Sequence, residues 1–97
     1  MDEAARIYKK LGHAYGWGGR TAETAEEYVK LYKSAARANK LAANLFEQSE
    51  NKPERLECEA EALFANGLLA SSVEEAKKAF DRSYELFFES SDLYSKE

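Results

Sequence analysis

The segment GHAYGWGGRT, residues 12–21, holds four of the chain's five glycines, its single tryptophan and its single histidine. One chemistry that fits this composition is anion binding. A glycine-rich turn leading into a helix can bind an anion through free backbone N–H groups, and Arg20 would add a guanidinium. This hypothesis predicts an anion site made of Gly18, Gly19, Arg20 and Thr21. The spacing lacks the Lys-Ser/Thr pair that a P-loop requires.

The same glycines also suit a structural role at the break between two helices. Glycine readily adopts the left-handed conformation that ends helices, so Gly16, Gly18 and Gly19 predict a helix terminus. Trp17 would then fold back over the end of the core, because burying an indole removes a large apolar area from water. Helix punctuation is the favoured interpretation of this segment, and anion binding is the alternative.

Patterns for catalysis or metal binding are sparse. His13 has no second histidine and no Glu-x-x-His motif to accompany it. An acidic row, defined as Glu54, Glu57 and Glu61, makes a carboxylate metal site the weakest of the hypotheses. Cys58 lies among these glutamates in an apolar setting that raises a thiol pKa, which predicts a core filler rather than a nucleophile. The sequence therefore predicts a non-enzymatic protein with no cofactor and no metal.

Charge is distributed unevenly. The net charge is −4, yet residues 1–49 carry eight basic and six acidic residues, while residues 50–97 carry six basic and twelve acidic ones. A basic row follows one face of the second predicted helix: Lys30, Lys33, Arg37 and Lys40. The acidic total and the lack of an aromatic stacking platform argue against nucleic-acid binding. The basic row is either a solvated face or the partner of the acidic row, across a hairpin or a dimer.

Apolar residues recur at three- and four-residue spacings, which predicts helices and no strands. Four helices are predicted, at about residues 3–15, 22–48, 53–70 and 73–95. Three of them begin with a capping-box spacing, in which Thr24, Asn51 or Ser72 precedes a glutamate by three residues. Asp2 is the predicted N-cap of the first helix, whose apolar stripe runs through Ile7 and Leu11.

The second helix is predicted to be the central element. Apolar residues cover most of its circumference between Thr24 and Phe46, so it needs neighbours on more than one side. Short connections make successive helices antiparallel. The chain is thus predicted to be one all-α domain, residues 1–97, built from four antiparallel helices. They form either two stacked helical hairpins or a closed four-helix bundle.

Two segments resemble the tetratricopeptide repeat. YKKLGHAY matches the first helix of that repeat through Tyr8, Leu11, Gly12 and Tyr15, with Tyr8 where tryptophan is usual. EEAKKAFDRSYELF is similar to the second helix, with Ala76, Phe80 and Ser83 in its Ala–aromatic–Ala positions. The second predicted helix is too long for the roughly 34-residue unit and is closer to the long-helix soluble NSF attachment proteins. The resemblance implies stacked hairpins and a role in protein interaction.

The fourth helix carries a second apolar edge. In ELFFES, Phe87 and Phe88 are separated by about 100° on a helix, so one face cannot bury both. With Leu86 and Leu93, Phe88 forms either a wide contact with the core or a surface that binds another protein, a second copy or a further hairpin. In the second case Leu86, Phe88 and Leu93 are predicted contact residues, and the basic row is the other predicted contact surface.

These features predict a helical module for protein–protein interaction or self-association, with a protein or peptide partner or a homodimer. The alternative is a small regulatory domain that binds an anionic small molecule at residues 16–21. No apolar run is long enough to cross a bilayer, and the N-terminus lacks the apolar block of a signal peptide. With a single cysteine, the chain is predicted to be cytoplasmic, without membrane insertion.

Overall fold

The structure, a computed structural model, describes residues 2–96 and contains four α-helices. They are α1 (Glu3–Arg20), α2 (Ala25–Gln48), α3 (Lys52–Leu69) and α4 (Val73–Ser95). No strand occurs within that range. Each helix packs against the next one in the chain, α1 on α2, α2 on α3 and α3 on α4. The predicted all-α fold of four helices is confirmed.

The predicted central helix is also confirmed. α2 runs unbroken for 24 residues and packs against both α1 and α3. Its apolar circumference requires this arrangement, because a single neighbour would leave much of it in water. Phe46 is fully buried and joins Ala5 of α1 and Cys58 of α3 in one core cluster. The main core therefore lies where three helices meet around the C-terminal half of α2.

α1 packs on α2 through very small residues. Its only buried residues are Ala5, Gly12 and Gly19, which are spaced seven apart. A Cβ atom on Gly12 would lie 2.6 Å from the side-chain amide nitrogen of Asn39, and one on Gly19 would lie 2.6 Å from the ring of Tyr32. These distances are far shorter than van der Waals contact, so only glycine permits the two helices to lie this close.

The predicted break at residues 16–21 is therefore wrong. α1 continues five residues past its predicted end, and none of the glycines in residues 2–96 has a positive φ. Gly18 and Gly19 serve as contact points on α2, and this packing offsets the low helix propensity of glycine. Trp17 does not cover the core, since 61% of its surface is exposed.

Two of the predicted caps are present. The hydroxyl groups of Thr24 and Ser72 accept hydrogen bonds from backbone N–H groups three residues later, each at 3.1 Å. Asn51 does not cap α3; its side-chain amide donates instead to Asp2 at 3.1 Å. Asp2 makes no side-chain cap on α1 either. This pair ties the start of α1 to the start of α3.

The turn after α2 holds the one non-glycine residue of residues 2–96 with a left-handed backbone, Glu50, at φ 59°. The N–H of Asn51 reaches back to the carbonyl of Phe46 at 2.9 Å, and the N–H of Glu50 reaches Glu47 at 3.1 Å. This pair of hydrogen bonds is a Schellman motif, in which glycine normally occupies the left-handed position.

Replacing Glu50 with glycine is therefore expected to raise the free energy of unfolding by about 1 kcal/mol, because the Cβ atom is strained in this conformation. Urea denaturation at neutral pH measures the change. The matched control is Glu47→Gly in the last turn of α2, which should lower stability by about 1 kcal/mol. A loss of stability in both variants would contradict the strain assigned to Glu50.

Candidate functional site

One face of α1 is apolar and uncovered. Alternate spacings of three and four residues place Ala4, Ile7, Leu11, Ala14 and Gly18 along a single seam, the spacing with which helices pair in coiled coils. None of the five is buried, and 59% of Ile7 is exposed. The sequence stripe through Ile7 and Leu11 is thus real, but it faces away from the core. Sequence reasoning missed the buried face of α1, although its small residues, spaced seven apart, are a signal of close helix packing.

The seam of α1 continues onto α2. A Cβ atom on Gly18 would lie 3.3 Å from a methyl carbon of Leu31, so this side of α1 adjoins the Leu31 side of α2. Leu45 lies on that side, two heptads from Leu31, and Leu41 lies one turn from Leu45 with 42% of its surface exposed. We call Ile7, Leu11, Leu31 and Leu41 the leucine end surface. It joins two helices in one apolar area at the α1–α2 end of the fold.

The aromatic edge of α4 is the second uncovered apolar area, and we define it as Val73, Tyr84 and Phe88. All three lie on one helical face, and 74% of Phe88 and 62% of Tyr84 are exposed. Phe88 thus lies on the surface where the sequence placed it. The exposure of Tyr84 was missed, although its four-residue spacing from Phe88 is a signal that they share a face.

Leu86 does not belong to this edge, so its predicted role as a contact residue is wrong. Only 3% of it is exposed, because it packs against Leu56 and Ala60 of α3. Leu93 is half-buried against the same cluster. α4 is held this close to α3 by the hydroxyl of Ser83, which donates to the carbonyl of Ala60 at 2.8 Å.

The basic row is exposed along its whole length, at Lys30, Lys33, Arg37 and Lys40. None of the four takes part in an ion pair within residues 2–96. The predicted pairing with the acidic row within one chain is wrong, because the carboxylates of Glu54 and Glu57 are paired with Lys9 of α1 instead. Pairing of the basic row across two chains stays a prediction.

Glu54 joins three helices. Its carboxylate lies 2.8 Å from the ammonium group of Lys9 in α1, and it accepts a hydrogen bond from the hydroxyl of Tyr94 in α4. Burial alone raises the pKa of Glu54, but the hydrogen bonds from Lys9 and Tyr94 outweigh it, so the net pKa is lowered. Burial and the neighbouring carboxylate both raise the pKa of Tyr94, which keeps its proton on the phenol oxygen.

The Glu54 contacts predict a specific pH dependence. Because the pKa of Glu54 is lower in the folded chain, its contribution to stability is complete above its unfolded pKa, near 4.5, and is lost as the pH falls through the folded value. Glu54→Gln is expected to reduce the free energy of unfolding at pH 7 by about 1 to 3 kcal/mol. The difference in free energy of unfolding between the unmodified chain and Glu54→Gln should become smaller as the pH is lowered, which urea titrations at a series of acidic pH values measure.

Glu85→Gln is the matched control for this experiment. The carboxylate of Glu85 pairs with Arg82 at 2.9 Å, but both side chains are well exposed. The substitution should therefore lower the free energy of unfolding by less than about 1 kcal/mol, both at pH 7 and at acidic pH. An equal, pH-independent loss in both variants would contradict the role assigned to Glu54.

A groove of about 240 Å³ lies between α1 and α3. Its walls include Gly12, His13, Trp17, Arg20, Tyr32, Asn39, Glu61 and Phe64. The surrounding protein desolvates Glu61 and raises its pKa, and repulsion from Glu57 adds to the effect. The groove therefore combines an arginine and a carboxylate of opposite charge.

The geometry assumed for the anion site is not present. Gly18, Gly19 and Arg20 form the last turn of α1, where carbonyl groups rather than N–H groups are free, and Thr21 caps that end. The hydroxyl of Thr21 donates to the carbonyl of Trp17 at 3.1 Å. The N-terminus of α2 begins only after Thr24. The premise that these residues lead directly into a helix N-terminus was wrong, because α1 extends through them.

Cys58 is free and fully buried, as the sequence predicted. Burial raises the pKa of its thiol to about 12, so the thiolate is scarce at neutral pH. In the part of the chain that the structure describes, no three His, Cys, Asp or Glu residues come together as a metal-binding group. Nor does any helix between residues 2 and 96 have both the length and the apolarity needed to cross a membrane.

Comparison of the chain with protein-family models, with curated proteins and with solved structures finds no match. The leucine end surface, the aromatic edge, the basic row and the groove are four candidate sites among residues 2–96.

Proposed function

We propose that this chain is a non-enzymatic helical module that binds another protein through its leucine end surface. The observation that carries the proposal is the seam of α1, whose Ile7 and Leu11 are exposed although their spacing suits helix pairing. Isolated exposed leucines are common, but a continuous apolar area shared by two helices is typical of interaction sites. Covering apolar side chains contributes up to about 2 kcal/mol for each one that becomes fully buried.

We propose further that the fold is built from tetratricopeptide-like hairpins. Gly12 supports this, because it lies at the close approach of α1 to α2, the place where the repeat has its small residue. Ser83 supports it as well, since it occupies a small-residue position of the repeat and is buried against α3. Hairpins of this kind leave helix faces open at each end of a stack, and these faces are where further elements or partners pack.

A small anionic ligand is the weaker candidate. Arg20 does line the groove between α1 and α3, and its guanidinium lies 5.5 Å from the ring of Trp17. However, Glu61 lines the same groove, and the adjacent end of α1 presents carbonyl groups, which disfavour an anion. A wide apolar area at the end of the fold favours a macromolecular partner over a small molecule, which needs a concave site.

The proposal includes a cytoplasmic location. Cys58 is the only cysteine, and it contributes to the core as a free thiol. Chains in oxidising compartments usually pair their cysteines, so a single buried thiol fits a reducing compartment.

Site-specific photocrosslinking tests the proposal. A photoreactive phenylalanine analogue replaces Leu11, and the chain is irradiated in the cells that express it. The matched control carries the same analogue in place of Asn66, an exposed polar residue of α3. We expect protein adducts from position 11 and few from position 66. Adding Ile7→Glu should abolish the adducts, because it places a charge in the middle of the contact. Equal yields from both positions, or none from position 11, would contradict the proposal.

A further inference from the structure

We infer that the leucine end surface binds the aromatic edge of a second copy of this chain, so that copies associate head to tail. The inference rests on the proposed function and names its partner. The two areas lie on different helices, α1 and α2 for one and α4 for the other. Consecutive helices pair along the chain, so these areas lie at the two ends of the series. Each copy therefore offers one surface to the copy before it and another to the copy after it.

The charges beside the two apolar areas are opposite in sign. Residues 30–40 of α2 contain four cations and no carboxylate, and this basic row borders the leucine end surface at Leu41. Residues 81–92 of α4 contain four carboxylates and one arginine, and they surround Phe88. Asp81, Glu85 and Glu89 form exposed ion pairs with Lys77, Arg82 and Lys52, which leaves the region net acidic. Asp92 is four residues from Phe88 and takes part in no ion pair among residues 2–96. Each apolar area is thus bordered by charge that attracts the other.

This charge pattern favours head-to-tail contact over symmetric pairing. Two copies that met through their α4 edges would bring carboxylates against carboxylates, and two that met beside their basic rows would oppose cations. A head-to-tail contact matches the basic row with Asp92 and its neighbours while Ile7 and Phe88 become buried together. Such a contact is heterologous and leaves one free surface at each end, so assembly continues into rings or open chains.

Two variants that each block one surface test the inference. Ile7→Glu disables the leucine end surface, and Phe88→Glu disables the aromatic edge. Both positions are more than half exposed, so the fold is expected to survive, which circular dichroism checks. In sedimentation experiments across protein concentration, the unmodified chain should exceed the mass of a dimer. Each variant alone should lose at least about tenfold in association affinity, because a contact must bury an unpaired carboxylate.

The mixture of the two variants is the decisive sample. Ile7→Glu still offers an intact α4 edge, and Phe88→Glu still offers an intact leucine end surface, so together they should form a one-to-one dimer that grows no further. Raising the ionic strength should weaken this dimer, because salt screens the charges beside the contact.

Three outcomes would overturn the inference. They are self-association of either variant alone as strong as association in the mixture, no dimer in the mixture, or a monomeric unmodified chain at all concentrations. The proposed function survives any of these if photocrosslinking from position 11 captures a different protein. It fails if position 11 gives no adduct beyond its control.

Discussion

Replacing Phe46 with alanine is expected to lower the free energy of unfolding by about 3 to 5 kcal/mol, the largest loss from any single truncation in this chain. The ring is fully buried in the cluster that also contains Ala5 and Cys58, so truncation opens a cavity where α1, α2 and α3 meet. The substitution also removes the ring that lies 5.9 Å from the guanidinium of Arg6. Urea or thermal unfolding followed by circular dichroism measures the effect.

Phe88→Ala is the matched control, because the same side chain is truncated on the surface. With 74% of Phe88 exposed, the stability of a monomer should change by less than about 0.5 kcal/mol. The comparison separates residues that hold the fold from residues that are available to a partner. A loss of several kcal/mol at Phe88 would show that α4 buries this ring, and a small loss at Phe46 would contradict the placement of the core.

The helices and their starts were accessible from sequence because local interactions determine them. Thr24 and Ser72 cap their helices through bonds to residues three positions away, and such spacings are visible in one chain. The central position of α2 was also predictable, since an apolar circumference requires neighbours on several sides. Both inferences depend on patterns within a single helix.

Which face of a helix meets its neighbour was harder to predict. The sequence stripe of α1 contains the large residues Ile7 and Leu11, yet α1 packs through Gly12 and Gly19. Large apolar residues usually mark the buried face, but close packing of two helices instead selects the face with the smallest side chains. On α4 the same reasoning assigned Leu86 to the surface, although it is in the core. Hydrophobic periodicity locates the apolar faces of a helix, but it does not determine which of two such faces packs against a neighbouring helix.

Ion-pair partners that are distant in sequence could not be predicted from the sequence. The acidic row was recognised from its spacing, but its cation is Lys9, 45 residues before Glu54. No local pattern connects these positions; only the packing of α1, α2 and α3 brings them together. The basic row looked like the complementary partner because it has the right charge and length, yet it faces outward on α2. Charge patterns alone therefore identified the two charged rows, but they could not decide whether the rows meet within one chain.

The glycine-rich segment yields the second large expected effect. Gly12→Leu is expected to lower the free energy of unfolding by about 3 kcal/mol, because its side chain must displace the buried amide of Asn39. A Cβ atom at this position already lies 2.6 Å from Nδ2 and 2.7 Å from Cγ of Asn39. Asn39 cannot move aside without cost, since its amide donates to the carbonyl of Ala35 at 3.0 Å inside the helix pair. Chemical denaturation of the purified variant measures the loss.

Gly16→Leu, four residues further along the same helix, tests whether the glycines of α1 end the helix or allow close packing on α2. No atom outside the local backbone lies within 4 Å of a Cβ built on Gly16, so a side chain at this position starts in open space beside the groove. Because leucine has a higher helix propensity than glycine, this variant should gain up to about 1 kcal/mol. If these glycines ended the helix, both substitutions would destabilise the chain similarly. Opposite signs at positions 12 and 16 would instead show that Gly12 is required by close packing on α2, while Gly16 is a helical residue that any good helix former can replace.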